Sequence, residues 1–310
     1  MSIRLLFAAT AARWPVYQPL LESAFARHGL IVEWVTEGAA AQVDYIIYAP
    51  DSALTDFTPF INCKAVLSLW AGVERIIDNP TLTQPLCRMV DTGMTEGMVE
   101  WVVGHVMRHH IGVDRYVPGL NGDWDRVIPP LARERKIAVL GLGQLGTACA
   151  QALAALNFRV EGWSRNPKSR EGMVCHHGDA GLQLALSEAD MAVLLLPQTP
   201  QTDSILNAQR LALMKRGGVV LNPGRGPLVD DDALLAALDD GQIGHATLDV
   251  FRIEPLPPEH PFWHHPKITI TPHVASETRP ITAAQVIARN IAHGEAGEPF
   301  EFLANPAQGY

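Results

Sequence analysis

Arg225, Glu254 and His273 lie far apart in the chain, yet each closely follows or ends a short apolar run, at 218–222, 246–251 and 267–271. Such runs read as buried strands. In one parallel sheet they would bring the three side chains to a single edge. Ligands bind along the edge at the carboxyl ends of the strands in open α/β sheets. The residue types then suit one reaction. Arg offers a bidentate cation to a carboxylate. His gives or takes a proton near neutral pH. Glu orients the imidazole and stabilises its protonated form. That set fits hydride transfer to or from a 2-oxo or 2-hydroxy acid, whose carbonyl oxygen gains negative charge as hydride arrives. Singly, each residue has a plainer structural use as a surface Arg, a turn Glu or a packed His. The shared edge favours the chemistry.

A hydride needs a carrier, and the chain holds a pattern for one. In KIAVLGLGQLG, 136–146, an apolar run ends at Gly141 and helix formers follow from Leu145. A G-x-G-x-x-G between strand and helix is the dinucleotide fingerprint. Gly141 permits the tight turn, Gly143 lets backbone approach a pyrophosphate, and Gly146 lets helix and strand pack closely. Gln144 and Leu145 would present N–H groups to the anion. About 20 residues on, an NAD site carries Asp or Glu against the ribose. Here the strand 159–163 ends in Trp163-Ser164-Arg165, with Lys168 close behind. Arg suits a phosphate, so NADP(H) is expected and NAD(H) less favoured. The competing assignment makes Glu161 the ribose acid.

Stepping outward, short strands alternate with helices along the whole chain, which means βαβ units and a parallel sheet. Strands are expected at 3–9, 31–35, 43–49 and 64–70, with a helix at 15–28 that starts near Pro15 and stops at Gly29. A first α/β unit therefore covers about 1–90. A helix at 94–110 is apolar over most of its face, implying burial on more than one side. Its His105, His109 and His110 have no acidic or cysteine partners at metal spacing, so no metal is expected, and surface or interface positions are. The stretch 111–135 is a long connector rich in Gly, Pro and Asp, of a kind that is usually functional or part of an interface. Later strands at 190–196, 218–222, 246–251 and 267–271, with helices at 230–238 and 278–293, complete a second unit and close the chain. SLWAGVE, 68–74, could be an ordinary strand-to-helix turn or a nest of N–H groups for a carboxylate. Its residues alone favour the ordinary turn.

Composition narrows the partners. The 310 residues carry 24 basic and 33 acidic side chains, a formal net charge of -9. No basic field is present to attract a nucleic acid. Cys63, Cys87, Cys149 and Cys175 are scattered without a C-x-x-C, as in reduced cytosolic proteins. No apolar run approaches a membrane span and no signal peptide is seen, so a cytoplasmic protein is expected.

Residues 136–276 resemble the D-isomer-specific 2-hydroxyacid dehydrogenase family. The matching pieces are VLGLGQLG, LLLPQTPQTDSILN, LNPGRGPLVDDDALLAAL, ATLDVFRIEPLP and TPHVAS. DTGMTEGMVEW at 91–101, WSRNPKS at 163–169 and FRIEPLPPEHPFW at 251–263 are similar to the members that reduce glyoxylate and hydroxypyruvate with NADPH. The resemblance implies a Rossmann-type doubly wound domain over 92–276 and a smaller, flavodoxin-like α/β substrate domain from 1–91 and 277–310. It implies a site in the cleft between them that closes over the substrate. Arg225, Glu254 and His273 become the catalytic set. SLWAGVE becomes the carboxylate turn, with Ala71, Gly72 and Val73 holding the substrate and Tyr48 and Trp70 beside it. Cofactor contacts fall on the glycine turn, on Trp163, Ser164, Arg165 and Lys168, on Pro197 and Thr199, and on Asp249 at the nicotinamide amide. A homodimer is implied through the helix and arm at 94–130, with Trp124 in the arm. The alternatives are a reductase of larger 2-keto acids, or a dinucleotide-sensing binding protein without turnover.

Overall fold

The computed structural model describes residues 2–306. Residue 1 and residues 307–310, assigned above to the substrate domain, lie outside the described residues. The chain divides into two compact units, Met1–Met94 with Glu277–Tyr310, and Thr95–Ser276.

The first unit begins with β1 (Ile3–Ala8), α1 (Trp14–Arg27), β2 (Val32–Val35), β3 (Tyr45–Tyr48), β4 (Ala65–Ser68) and β5 (Leu86–Cys87). All pairs are parallel and the strand order is β2-β1-β3-β4-β5. That is the flavodoxin-like order, whose switch point lies between β1 and β3. The central strands YIIY and AVLS are buried at every position, as expected of parallel strands covered on both faces. Pro sits in the first turn of α1 and Gly29 (φ +66°) follows its end, the asymmetry that starts and stops a helix. The two-residue β5 lies in no expected strand; it is too short to show a pattern.

The second unit takes up α2 (Thr92–Ile111), β6 (Lys136–Leu140), α3 (Gln144–Ala155), β7 (Arg159–Ser164), β8 (Val174–His177), α4 (Gly178–Leu186), β9 (Met191–Leu194), α5 (Ala208–Leu211), β10 (Gly218–Asn222), α6 (Asp231–Asp239), β11 (Ile243–Leu248) and β12 (Ile268–Ile270). Seven parallel strands form one sheet in the order β12-β11-β10-β9-β6-β7-β8. The order reverses between β6 and β9, so the glycine turn after β6 stands at the switch point. β6 is buried along its whole length. The α6 cap is Asp230, whose side chain accepts from Ala233 N–H, with Asp231 and Asp232 in the first turn where the helix dipole favours them. β11 starts and ends three residues before the expected 246–251. It stops there because Asp249 turns its carboxylate toward the loop after β12.

The three α2 histidines are not surface residues. His110 is buried edge-on against Phe158. His109 Nε2 lies 2.9 Å from Thr247 Oγ1 and its ring stacks near His245 at 4.9 Å. His105 is half-buried beside Trp101, 4.4 Å between rings. The partners of His109 and His110 come from distant segments, which the helix sequence does not record. Beyond α2 the arm is open, with Trp124 87% and Ile128 78% exposed.

The chain then returns to the first unit as α7 (Pro280–Ala296). Its Ala283, Ala284, Ile287 and Ile291 pack with Leu5, Leu21, Phe25 and Tyr45. Glu295 fixes its far end, accepting from Tyr45 Oη at 2.8 Å and Lys64 Nζ at 2.6 Å.

Candidate active site

The glycine turn separates into two kinds of glycine. Gly141 has φ +110°, and a Cβ there would stand 2.3 Å from Leu195 O. A Cβ on Gly146 would stand 1.7 Å from Gly141 O. The fold itself demands both. Gly143 is exposed in extended backbone (φ -75°), and an added Cβ would meet no described atom within 4 Å. Nothing among the described residues requires glycine there, and the space beside it is open to a ligand. Gly143 caps α3 without a side-chain bond, so the first N–H groups of the helix, toward Gln144 and Leu145, face outward as anion donors. The turn fits a dinucleotide pyrophosphate.

Around it, Lys168 Nζ donates to Leu142 O at 2.8 Å and Arg170 Nε to Thr147 Oγ1 at 3.2 Å. Both cationic side chains thus fold back onto the glycine turn. Ser164 is buried and donates to Asn166 O at 2.8 Å, while Arg165 is exposed at the strand end. Glu161 is engaged elsewhere, between Lys136 Nζ (3.0 Å) and His176 Nε2 (2.8 Å). The end of β7 therefore carries a hydroxyl and a cation. The Trp163 ring belongs to the core, with Nε1 donating to Gly178 O, and its carbonyl accepts from Gly141 N–H. Trp163 shapes the turn from beneath. Pro197 and Thr199 form a tight loop after β9, in which Thr202 Oγ1 donates to Pro197 O and accepts from Thr199 N–H.

On the same sheet edge, Arg225 follows β10 and His273 follows β12, with Glu254 beyond β11. His273 Nδ1 lies 2.7 Å from Glu254 Oε2, and Glu254 Oε1 accepts from Phe251 N–H at 2.9 Å. The imidazole is 52% exposed, and its Nε2 has no partner among the described residues. His273 holds φ +53°, a sparsely populated region that persists only where neighbours enforce it. Asp249 enforces it. Its carbonyl accepts from His273 N–H at 2.8 Å; its carboxylate takes Thr271 Oγ1 (2.5 Å), Val274 N–H and Ala275 N–H (both 2.9 Å). Asp249 is completely buried, and its carboxylate and carbonyl build the histidine loop. Sequence reasoning missed this, and also missed Asn222. Asn222 Nδ2 donates to Arg225 O and its Oδ1 accepts from Gly224 N–H, setting the turn that carries Arg225. An Asn at a strand end before Pro-Gly was the available turn signal.

In the first unit the turn after β4 is pinned at both ends. Ser68 Oγ bonds the N–H and carbonyl of Trp70, and Val73 O accepts from Ile76 and Ile77. Among the described residues, no acceptor meets the N–H of Ala71, Gly72 or Val73. Three successive amides are thus left without an acceptor and available to an anion. Trp70 lies beneath the Arg13 guanidinium, 5.8 Å from the ring centroid. Tyr48 instead packs into the core against Phe57, and burial raises its hydroxyl pKa. Among the described residues no cluster of three or more His, Cys, Asp or Glu could hold a metal, and no helix is long and apolar enough to cross a membrane.

A glycine turn at the switch point of a doubly wound sheet, with a carboxylate-paired histidine on the same edge, defines an oxidoreductase of the Rossmann type. Residues 101–275 match the family model described as D-isomer specific 2-hydroxyacid dehydrogenase, NAD binding domain. The structure resembles that of a D-isomer specific 2-hydroxyacid dehydrogenase from Xanthobacter autotrophicus Py2 in complex with NADPH and MES, at 38% identity and TM-score 0.91 over 100% of both chains. It resembles the NADPH-dependent glyoxylate/hydroxypyruvate reductase of Sinorhizobium meliloti in complex with NADP and sulfate, at 32% identity and TM-score 0.84 over 100% of both chains. A family protein from Klebsiella pneumoniae 342 matches at 30% identity and TM-score 0.82 over 99% of both chains. The chain belongs to the D-isomer specific 2-hydroxyacid dehydrogenase family.

Proposed function

We propose that this protein is an NADPH-dependent reductase of small 2-oxo acids, glyoxylate and hydroxypyruvate first, with His273 as general acid. The observation that carries it is the 2.7 Å Glu254–His273 contact on the sheet edge that also holds the glycine turn. The cofactor would rest on Gly141, Gly143, Gln144, Leu145 and Gly146, with Ser164, Arg165 and Lys168 toward a 2′-phosphate. When bound, it supplies a hydride to the substrate carbonyl carbon. The NADPH and NADP complexes of the two relatives above support this choice.

The chain's own groups do the rest. Glu254 holds Nδ1, which leaves Nε2–H of His273 to protonate the carbonyl oxygen as charge develops there. Arg225 offers a cation to the carboxylate and carbonyl. The N–H groups of Ala71, Gly72 and Val73 are donors suited to a carboxylate. Asp249 positions His273 without touching substrate. Exposed Trp124, Val127 and Ile128 make the arm an apolar surface suited to a second copy of the chain, and sedimentation velocity tests for the dimer.

The deciding experiment is the initial rate of cofactor oxidation with glyoxylate, run in parallel with NADPH and NADH. A much larger kcat/KM with NADPH is expected. Equal or better rates with NADH overturn the roles of Ser164 and Arg165. No turnover of glyoxylate or hydroxypyruvate with either cofactor overturns the substrate assignment.

A further inference from the structure

The first unit has a switch point of its own. β1 and β3 are neighbours, and the chain leaves them toward opposite sides of the sheet. Crevices at such points, at the carboxyl ends of the strands, are where open α/β sheets take ligands. The loops after β1 and β3 meet there through an ion pair. After β1, a single turn closed by Arg13 N–H on Thr10 O sets Arg13 just before α1. After β3, a reverse turn closed by Ser52 N–H on Ala49 O has Pro50 and Asp51 at its centre. Pro favours the second position of such a turn. Arg13 donates through Nε (3.1 Å) and Nη2 (2.9 Å) to one oxygen, Asp51 Oδ2. The guanidinium also lies over the Trp70 ring.

The pair is half-buried, at 34% and 29% side-chain exposure, and it is only half used. Nη1 of Arg13 and Oδ1 of Asp51 have no hydrogen-bond partner among the described residues. Trp70 is the residue immediately before the free amides of Ala71, Gly72 and Val73. A 2-oxo acid with its carboxylate on those amides has its third carbon only two bonds away from that carboxylate. The Arg13 guanidinium, 5.8 Å from the ring of the adjoining Trp70, flanks the turn on the side assigned to that carbon. Here the flank holds a donor and an acceptor side by side, with no net charge. A hydroxyl both donates and accepts and satisfies both. A methyl would leave them desolvated and unpaired, and a second carboxylate would face Asp51.

We propose that Arg13 and Asp51 form a specificity subsite, backed by Trp70, that recognises a hydroxyl on the third carbon of the substrate. The subsite rests on the function proposed above and deepens it, selecting 3-hydroxy-2-oxo acids over their alkyl counterparts. Sites built to hydrogen-bond a substrate hydroxyl discriminate strongly against analogues that lack it.

The test compares hydroxypyruvate with pyruvate, which differ by that one oxygen, and includes glyoxylate, which has no third carbon. Wild-type enzyme is expected to prefer hydroxypyruvate by about a hundredfold or more in kcat/KM. Arg13→Gln and Asp51→Asn should each lower the hydroxypyruvate-to-pyruvate ratio at least about tenfold, the effect of about 1.4 kcal/mol. Damage to the fold lowers both rates together and leaves the ratio in place. A ratio unmoved in both variants, or wild-type enzyme that does not discriminate, overturns the subsite. Wild-type enzyme inert to all three acids overturns the subsite and the proposed function together. Turnover of glyoxylate with an unmoved ratio overturns the subsite alone.

Discussion

His273 and His109 belong to the same unit and share one side chain, yet they are set for opposite ends. His273 is half-exposed, fixed at Nδ1 by a carboxylate and open at Nε2. His109 is held at Nε2 by the Thr247 hydroxyl and covered by the His245 ring. Burial is the main cause that pushes the His109 pKa down to about 3 and that of His245 to about 4, helped by the His245 ring for His109 and by Arg108 for both. One imidazole is secured on its protein side and left available on the other. The second is consumed by the protein and locked neutral. The glycine turn repeats the contrast: Gly141 and Gly146 are spent on the chain's own packing, and Gly143 is kept clear.

The largest effect should come from removing the open group. His273→Ala is expected to lower kcat on glyoxylate by about 10²–10⁴-fold, the range for a positioned general acid. Fluorescence titration should still show NADPH binding, because nothing in the glycine turn touches His273. Turnover near wild type in this variant ends its role as the acid.

A smaller effect, split between function and folding, should separate the glycines. Gly143→Val places a side chain where the protein has no atoms but a pyrophosphate would lie. KM for NADPH should rise by about tenfold or more while Tm stays close to wild type, since surface changes away from packed contacts usually cost under about 0.5 kcal/mol. Gly146→Ala should instead lower Tm sharply, because its new methyl meets the Gly141 carbonyl. Equal loss of Tm in both variants would erase the distinction drawn between them.

The same contrast explains what the sequence could and could not disclose. The glycine turn, Arg225, Glu254 and His273 were legible because each pairs a chemically distinctive residue with a strand end, and strand ends follow from local apolar runs. That the sheets are parallel followed from the alternation of strands and helices. The hold of Asp249 on the histidine loop was not legible because its partners, Thr271, Val274 and Ala275, lie more than twenty residues on, and no local pattern announces them. The burial of two α2 histidines was hidden for the same reason: Thr247 and His245 reach His109 from β11, and Phe158 covers His110. β8 and α4 were missed because VCHH alternates too briefly and GDAGLQLAL opens on glycine, a poor helix former.

The smallest effect tests the consumed histidine by pH. His109 and His245 have lower pKa values folded than the ordinary 6.5, so between pH 6.5 and about 4 the unfolded chain binds protons that the folded chain refuses. Stability therefore rises with pH across that window. The penalty is absent above pH 6.5, grows as the pH falls, and saturates below the folded values. It amounts to about 2–3 kcal/mol for each imidazole at pH 4.5, with roughly 2–4 °C of Tm per kcal/mol in a unit of this size. His109→Gln keeps a group able to bond Thr247 but cannot titrate. Its Tm at pH 7.5 should fall somewhat, from lost packing on His245, while the drop in Tm from pH 6.5 to 4.5 becomes shallower than in wild type. An unchanged slope would mean that the acid sensitivity of this unit arises elsewhere. The buried ring would then be no more than a space-filling neighbour of Thr247.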